Sequence, residues 1–331
     1  MKDSQELRKK SDVFAFTQAN DILIDTETQI LPVTVTSMDN QQSLATWFQC
    51  HGDKAVNLSN KYGAVLFRGF RQMNPTELET FIVGISGELL AYTNRSTPRS
   101  TIQGRIYTST EYPQHEWIPL HNENSYSHSW PSRLFFSCLI QPAVGGQTPL
   151  ADSRRILARL PQDLVSRFEK HGVLYVRTFT PGLGLSWQES FQTTDRIKVQ
   201  KYCAKNGIEL QWLGNGRLKT CQRLQATTVH QNTGEHVWFN QAHLFHSSSL
   251  GEEVYNSLLN DMPEAELPRH AYLGDGSSID ADDLRIIRNS YDTEMKLFDW
   301  QLGDVLMVDN LLTAHGRAPF KGARQIAVAM T

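Results

Sequence analysis

The sequence has few of the features that mark secreted, membrane-spanning and nucleic-acid-binding proteins. Its four cysteines are scattered and form no CxxC pair, which argues against a disulfide scaffold and against a structural zinc site. No apolar run approaches the roughly 18 residues that a membrane-spanning helix needs. The formal net charge of -3 leaves no broad basic surface, so sequence-independent binding to nucleic acid is not expected.

The N-terminus gives no sign of export, and the rest of the chain shows no internal division. It reads MKDSQELRKKSDVF, which is polar and charged, so no signal peptide begins there and we expect a cytoplasmic location. The 331 residues can bury a sizeable core. Because no repeat or Pro/Gly/Ser-rich linker separates two halves, we interpret residues 1–331 as one domain. Roughly the first 40 residues are expected to form a peripheral extension.

Hydrophobic patterns predict a few helices among many short strands. Helices are expected at 42–60, from Asn74-Pro75 onward, and at 153–171 with a break at Pro161. The predicted strands cover 63–69, 134–140, 173–179, 304–310 and 324–330, and glycine-containing turns predict hairpins within 207–223 and 227–240. Many antiparallel strands with flanking helices indicate a mainly β jelly roll, which can hold a site inside its mouth.

A candidate metal site lies in the segment 118–125, which reads IPLHNENS. On an extended strand His121 and Glu123 point to the same side, so both can face one ion. Alone, such a pair is more often a surface salt bridge. A distant histidine, His315, follows the apolar strand 304–310 and can complete the set. Two histidines and one carboxylate, with three positions left open, are typical of non-haem Fe(II) oxygenases.

Several linked motifs are similar to those of a known family. The segments HNE at 121–123, GGQT at 145–148 and NLLTAHGR…FKGAR at 310–324 resemble the Fe(II)/2-oxoglutarate dioxygenases related to taurine dioxygenase and clavaminate synthase. Within that family the chain resembles the amino-acid hydroxylases of natural-product pathways, typified by the syringomycin-cluster aspartate hydroxylase. The likeness runs from about Tyr62 to the C-terminus. It implies a double-stranded β-helix (cupin-like) fold, Fe(II) as cofactor, and 2-oxoglutarate and O2 as co-substrates.

The resemblance also implies roles for individual residues. His121, Glu123 and His315 would be the iron ligands, and the hydroxyl of Thr148 would contact 2-oxoglutarate. Arg324 would pair with the far carboxylate of that co-substrate, a task that suits a planar guanidinium. The interval from His315 to Arg324 is shorter than in taurine dioxygenase, which leaves Arg317 as the alternative. Since relatives that chlorinate carbon lack the carboxylate ligand, the presence of Glu123 disfavours halogenation.

The expected reaction is hydroxylation of an unactivated C–H bond in an amino-acid-like substrate, free or tethered to a carrier protein. Candidate substrate contacts are Arg95 and Arg99 for a carboxylate, Glu111 for an amine, and Asn240 and Gln241 in the pocket lining. For the three charged residues the competing interpretation is a solvated loop charge.

Other functions share parts of this pattern. A desaturase or cyclase of the same family would use the same ligands. A zinc hydrolase could also use two histidines and Glu123, although that interpretation does not explain Thr148 and Arg324. A cupin-like binding protein without activity is a further alternative. Substrate identity and oligomeric state are left open, and no nucleic-acid or membrane partner is expected.

Overall fold

A computed structural model describes residues 22–25, 31–90, 100–109 and 112–331. The strands in these residues are β1 (Ile22–Asp25), β2 (Val33–Ser37), β3 (Ala64–Arg68), β4 (Thr101–Gln103), β5 (Ile106–Thr108), β6 (Ile118–His121), β7 (Arg133–Ile140), β8 (Val144–Gly145), β9 (Leu150–Asp152), β10 (Val173–Phe179), β11 (Glu209–Trp212), β12 (Leu218–Leu224), β13 (Thr227–Val229), β14 (His236–Trp238), β15 (Arg269–Leu273), β16 (Val305–Asp309), β17 (Thr313–Arg317), β18 (Phe320–Lys321) and β19 (Gln325–Met330). The α-helices are α1 (Leu44–Tyr62), α2 (Pro75–Ser86), α3 (Ser153–Arg159), α4 (Gln162–His171), α5 (Trp187–Phe191), α6 (Arg196–Lys205), α7 (Ala242–Phe245), α8 (Glu252–Asp261) and α9 (Ala281–Glu294). None of these helices is long and apolar enough to cross a membrane.

The largest sheet, here called the major sheet, has the strand order β1-β2-β3-β16-β7-β19-β5-β4. Its pairs are antiparallel except for β2 with β3. Every residue of β16 is buried, as expected for a central strand that is covered on both faces. The strands predicted at 63–69, 134–140, 304–310 and 324–330 are thereby confirmed.

Helices α1 and α2 cover the outer face of the major sheet. The hydroxyl of Ser43 caps α1, and Asn74 forms a reciprocal capping box with Glu77 at the start of α2. The helices bury Phe48 and Phe81 against the outward side chains of β3 and its neighbours, and the two rings meet edge to face. Local capping and the apolar stripe together explain why these helices were predictable.

A smaller sheet, β6-β17-β9, faces the inner side of the major sheet and is called the minor sheet. A core that includes Leu66, Phe136 and Ile326 of the major sheet and Leu150 of β9 fills the space between the two sheets. Two facing sheets with a site-bearing mouth confirm the predicted jelly roll with flanking helices.

A third sheet, β11-β12-β10-β15, packs with α3, α4 and α9 around a separate core that includes Phe168, Trp238 and Ile287. The predicted helical stretch 153–171 is indeed interrupted at Pro161, which separates α3 from α4. The hairpins about Gly214-Asn215-Gly216 and Asn232-Thr233-Gly234 are also confirmed, as β11–β12 and β13–β14.

The buried carboxylate of Glu294 joins α9 to two arginines of α3, and its removal should lower stability in a pH-dependent way. Glu294 is buried and accepts hydrogen bonds from Arg155 and Arg159. Burial alone would raise the pKa of Glu294, but the two arginines outweigh it and hold that pKa below its usual value. We expect Glu294→Gln to lower the free energy of unfolding by about 2 kcal/mol at pH 7.

The lowered pKa of Glu294 determines how the stability of the fold changes with pH. The carboxylate stabilises the fold at neutral pH, and this contribution is lost as the pH falls through the folded-state pKa. Urea unfolding of wild type and Glu294→Gln should therefore converge at acidic pH, whereas Glu253→Gln on the exposed face of α8 should match wild type throughout. An unchanged difference between wild type and Glu294→Gln at low pH would contradict the assignment.

The described part of the predicted N-terminal extension lies at one edge of the major sheet. Strand β1 pairs with β2, and β2 runs parallel to β3. Strand β2 buries Val33 and Val35 in the same core as α1.

Candidate metal centre

The pairing of β6 with β17 brings the three predicted ligands together. His315 lies directly opposite His121 in the register of these two strands, and the two imidazole rings are 4.5 Å apart. The Nε2 atom of His315 is 3.8 Å from Oε2 of Glu123. One donor atom from each of the three residues lies within 4.8 Å of the others. No other group of three such residues was found in the part of the chain that the structure describes.

A glycine next to His315 permits the close approach of the two strands. A Cβ atom on Gly316 would lie 2.4 Å from the carbonyl oxygen of Ile118 and would collide with it. Any larger residue at this position would push β17 away from β6 and separate the ligands.

The backbone fixes which nitrogen of His121 faces the centre. Its Nδ1 lies 2.8 Å from the carbonyl oxygen of Pro119, an acceptor only, so Nδ1 carries the proton and donates. The lone pair on Nε2 is then available to a metal. Imidazole nitrogen and carboxylate oxygen together suit Fe(II), and the three protein ligands leave positions for a co-substrate. The residues present therefore fit an iron site.

Asn310 holds the segment that carries Glu123. Its Oδ1 accepts a hydrogen bond from the Glu123 backbone N–H at 2.7 Å, and its Nδ2 donates to the carbonyls of Glu123 and Pro131. Nearby, the Asn122 amide donates to the Asn310 carbonyl at 2.7 Å. All of these groups are buried, which makes the hydrogen bonds effective in fixing the loop.

Replacing Asn310 should weaken iron binding without removing a ligand. We expect Asn310→Ala to reduce the affinity for Fe(II) by about 10- to 100-fold, the usual range for groups that orient metal ligands. Isothermal titration with Fe(II) under anaerobic conditions measures the change. The control is Asn289→Ala on the exposed side of α9, which should bind iron like wild type. Lowered stability with unchanged iron affinity would show that Asn310 is only structural.

A narrow cavity lies beside the ligands, between the major and minor sheets. Its lining includes His121, His315, Thr148 and Arg324, with apolar walls from Phe136, Ile326 and Val328. Two of the three predicted iron ligands, His121 and His315, thus share one cavity with the two residues predicted to contact 2-oxoglutarate. Their assignment to these roles remains a prediction.

Arg324 enters this cavity as a cation without a carboxylate partner among the described residues. Its Nε donates to the Gly146 carbonyl at 3.0 Å, and Nη1 donates to the Ser109 hydroxyl at 3.2 Å. A side chain on Gly146 would collide with the Arg324 stem, so the GGQT turn leaves room for the guanidinium. Burial, with a further contribution from the neighbouring Arg317, lowers the pKa of Arg324 to about 10. The group is still protonated at neutral pH.

Trp300 orients the hydroxyl of Thr148. The indole Nε1 of Trp300 donates to Oγ1 of Thr148 at 3.1 Å, and both residues are buried. Because the hydroxyl oxygen already accepts one hydrogen bond, its own proton can be donated to a carboxylate in the cavity. Sequence reasoning missed Trp300, since it lies 152 residues from Thr148 in the chain.

Arg317, the alternative to Arg324, holds a loop instead. It is buried and donates to the carbonyl oxygens of Tyr112, Pro113 and Glu116. These hydrogen bonds use both terminal nitrogens of the guanidinium. Arg324, whose Nη2 has no hydrogen-bond partner in the described residues, is therefore better placed to bind a co-substrate carboxylate.

A larger cavity of about 620 Å³ opens on the other side of the ligands. His121, Glu123, Tyr126 and Gln241 contribute to its lining. The side chain of Gln241 also donates to the carbonyl of Asn122 at 2.7 Å, so it supports the ligand loop as well as facing the cavity.

The other residues predicted to contact the substrate either do not line this cavity or lie outside the described residues. Asn240 is fully buried, bonds the Ala226 carbonyl, and does not line this cavity, so a substrate contact from it remains a prediction. Arg95, Arg99 and Glu111 lie outside the described residues.

Comparison with known proteins agrees with this geometry. Residues 36–330 match the taurine catabolism dioxygenase TauD, TfdA family. The dapdiamide synthesis protein DdaC of Enterobacter agglomerans is 38% identical over 296 residues, which cover 89% of each chain. A clavaminate synthase-like protein of Arabidopsis thaliana is 30% identical over 285 residues, covering 83% of each chain.

A solved structure shares the fold at low sequence identity. An asparagine oxygenase, crystallised with Fe(II), 2S,3S-3-hydroxyasparagine and succinate, matches with a TM-score of 0.52 and 13% identity over 87% of this chain and 79% of its own. That likeness shows the fold alone. The family match and the curated relatives together favour an oxygenase over a zinc hydrolase or an inactive binding protein. The chain belongs to the TauD/TfdA family and is an Fe(II)/2-oxoglutarate-dependent dioxygenase.

Proposed function

We propose that this enzyme hydroxylates an unactivated C–H bond of an amino-acid-like substrate in a natural-product pathway. The observation that carries the proposal is the single cavity in which His121, His315, Thr148 and Arg324 meet. The similarity to the dapdiamide synthesis protein supports the natural-product context. In the overall reaction, one atom of O2 enters the substrate as a hydroxyl, and 2-oxoglutarate takes the other as it becomes succinate and CO2.

The chemistry of each side chain indicates its proposed role in the site. His121, Glu123 and His315 would hold Fe(II), which supplies the one-electron chemistry that activates O2. Arg324 would bind the far carboxylate of 2-oxoglutarate by a charge-assisted fork, and the Thr148 proton would donate to the same co-substrate. Phe136, Ile326 and Val328 would exclude water from the space beside the ligands.

Gln241 has a supporting part in this arrangement. By bonding the Asn122 carbonyl while lining the large cavity, it links the position of the substrate to the position of the ligand loop. Substrate held in the 620 Å³ cavity would present one carbon to the iron, and that placement decides which bond is oxidised.

The test is a substrate screen with an isotope readout. Free L-amino acids and their pantetheine thioesters are incubated with the enzyme, Fe(II), 2-oxoglutarate and 18O2, and both succinate and modified substrate are measured by mass spectrometry. Hydroxylation incorporates one 18O atom into the product. Loss of two hydrogens without 18O would instead establish a desaturase or cyclase. Activity only on the thioesters would identify a carrier-tethered substrate, which the proposal includes.

We also propose that the chain is one domain with a peripheral N-terminal extension and that it acts in the cytoplasm. The four cysteines are free thiols, a state that a reducing compartment maintains. Burial raises the pKa of the Cys138 thiol to about 12, so this residue is unreactive at neutral pH.

A further inference from the structure

A second cavity adjoins the large one and shares part of its wall. Its volume is about 240 Å³, and Phe245, Leu250 and Arg269 line both spaces. The remaining walls come from β10 and from the glycine-containing loop that includes Leu183 and Leu185. Arg269 therefore lies at the boundary between the two cavities.

Arg269 stands at this junction without an anionic partner. Among the described residues, no carboxylate forms a salt bridge with its guanidinium, and no acceptor forms a hydrogen bond with it. Desolvation by the surrounding protein lowers the pKa of Arg269, although part of the residue remains open to solvent. By contrast, Arg217, just before β12, is paired with Glu266 at 2.7 Å.

A second arginine lies next to Arg269 in the third sheet. Arg177 on β10 is directly opposite Arg269 on β15 in the register of the third sheet. Arg177 donates to the Ser190 hydroxyl at 3.1 Å and lies over the Phe179 ring. The described lining of the second cavity holds both arginines and no carboxylate.

The acidic side chains that line the large cavity lie at other points of its wall than Arg269. Its described acidic side chains are Glu116, which is 3.5 Å from the imidazole of His115, and the ligand Glu123. A substrate in the large cavity would therefore meet an unpaired cation at the junction and carboxylates at other points of the wall. This distribution suits a ligand with an anionic end that points toward β15.

We propose that Arg269 binds an anionic group of the substrate at the junction of the two cavities. The inference rests on the proposed function, because it treats the large cavity as the substrate site. The group is a carboxylate if the substrate is a free amino-acid derivative, and a phosphate if the substrate arrives on a phosphopantetheine arm. Both would form charge-assisted hydrogen bonds with the guanidinium fork.

The experiment observes the arginines directly by NMR. Protein labelled with 15N-arginine is loaded with Zn(II) in place of paramagnetic Fe(II) and with saturating 2-oxoglutarate. It is then titrated with acetate, methyl phosphate or neutral acetamide. The Arg269 Nε signal is assigned by its absence in Arg269→Gln, and the signals of Arg324 and Arg217 are assigned in the same way.

We expect the Arg269 signal to shift saturably with acetate or methyl phosphate and not with acetamide, while Arg217 stays unchanged. A tighter response to acetate identifies a carboxylate group, and a tighter response to methyl phosphate identifies a phosphopantetheine arm. No shift of Arg269, or an equal shift with acetamide, would overturn the inference. Failure of 2-oxoglutarate to move the Arg324 signal would instead count against the proposed function, whatever Arg269 does.

Kinetics with a substrate from the screen add a second readout. Arg269→Gln should raise the substrate KM at least about tenfold, as expected for loss of a charge-assisted contact, and leave the KM for 2-oxoglutarate unchanged. Arg269→Lys should recover part of the loss. Arg217→Gln, a control just before β12 in which the arginine is paired with Glu266, should behave like wild type. A fall in kcat with unchanged substrate KM would contradict a binding role.

Discussion

Replacing His315 with alanine is expected to abolish turnover. Groups that merely orient metal ligands change affinity by about 10- to 100-fold, and removal of a ligand itself should exceed that range. His315 also faces His121 across the minor sheet, and no further histidine of the described residues belongs to this cluster. We expect Fe(II) affinity to fall by more than about a hundredfold, and succinate formation to fall below detection.

The measurement is anaerobic addition of Fe(II) and 2-oxoglutarate to metal-free protein. Wild type should develop the weak visible absorption band of an Fe(II)–2-oxoglutarate chelate, and His315→Ala should not. The matched control is His236→Ala, an exposed histidine of β14 that should leave the band intact. A normal band in His315→Ala would remove this residue from the ligand set. Loss of iron binding in both variants would point to a general folding defect.

Replacing Arg324 with glutamine is expected to weaken 2-oxoglutarate binding by about a hundredfold. Truncating one partner of a buried charge pair costs roughly 2–5 kcal/mol, and each 1.4 kcal/mol is tenfold in affinity. Fe(II) binding should persist because Arg324 is not among the clustered ligands. The charge-transfer band should therefore reappear when 2-oxoglutarate is raised by the same factor. Arg324→Lys keeps the charge but loses the forked geometry. Its affinity for 2-oxoglutarate should lie between those of wild type and Arg324→Gln.

The pH dependence of co-substrate binding follows from the same residue. With a pKa of about 10, the Arg324 guanidinium is positive at neutral pH and loses its proton as the pH rises through that value. The affinity of wild type for 2-oxoglutarate should thus be steady up to about pH 9 and fall above it, whereas the weak affinity of Arg324→Gln should show no such fall. A flat wild-type profile to pH 11 would contradict a direct contact.

The strands and the candidate His121–Glu123 pair could be predicted because their signals are local. An apolar run bounded by glycines or turns marks β3 and β16. The HxE spacing predicted that His121 and Glu123 share one strand, but β6 ends at His121 and Glu123 lies in the turn that follows. A proline such as Pro161 interrupts a helical stretch, which made the break between α3 and α4 predictable. By contrast, α9 was not predicted from its pattern. Its buried face includes Ser290 and the ion-paired Glu294, which dilute the apolar periodicity.

The supporting residues were not predictable, since their roles depend on contacts between distant segments. Asn310 acts on Glu123 across 187 residues of sequence, and Trp300 reaches Thr148 across 152. The sequence around Arg269 does not distinguish it from an arginine that forms an ordinary surface salt bridge. Only the cross-strand register and the missing partner among the described residues distinguish it.

The facing of His121 and His315 across the minor sheet has a consequence for how long the protein survives. An ion held by both strands acts as a removable cross-link between segments far apart in the chain. A ligand present at 100 times its Kd stabilises the native state by about 2.7 kcal/mol. Starving a cell of iron would therefore leave a population of molecules that open more often and are degraded sooner. Supply of the metal would then control the amount of the enzyme as well as its activity.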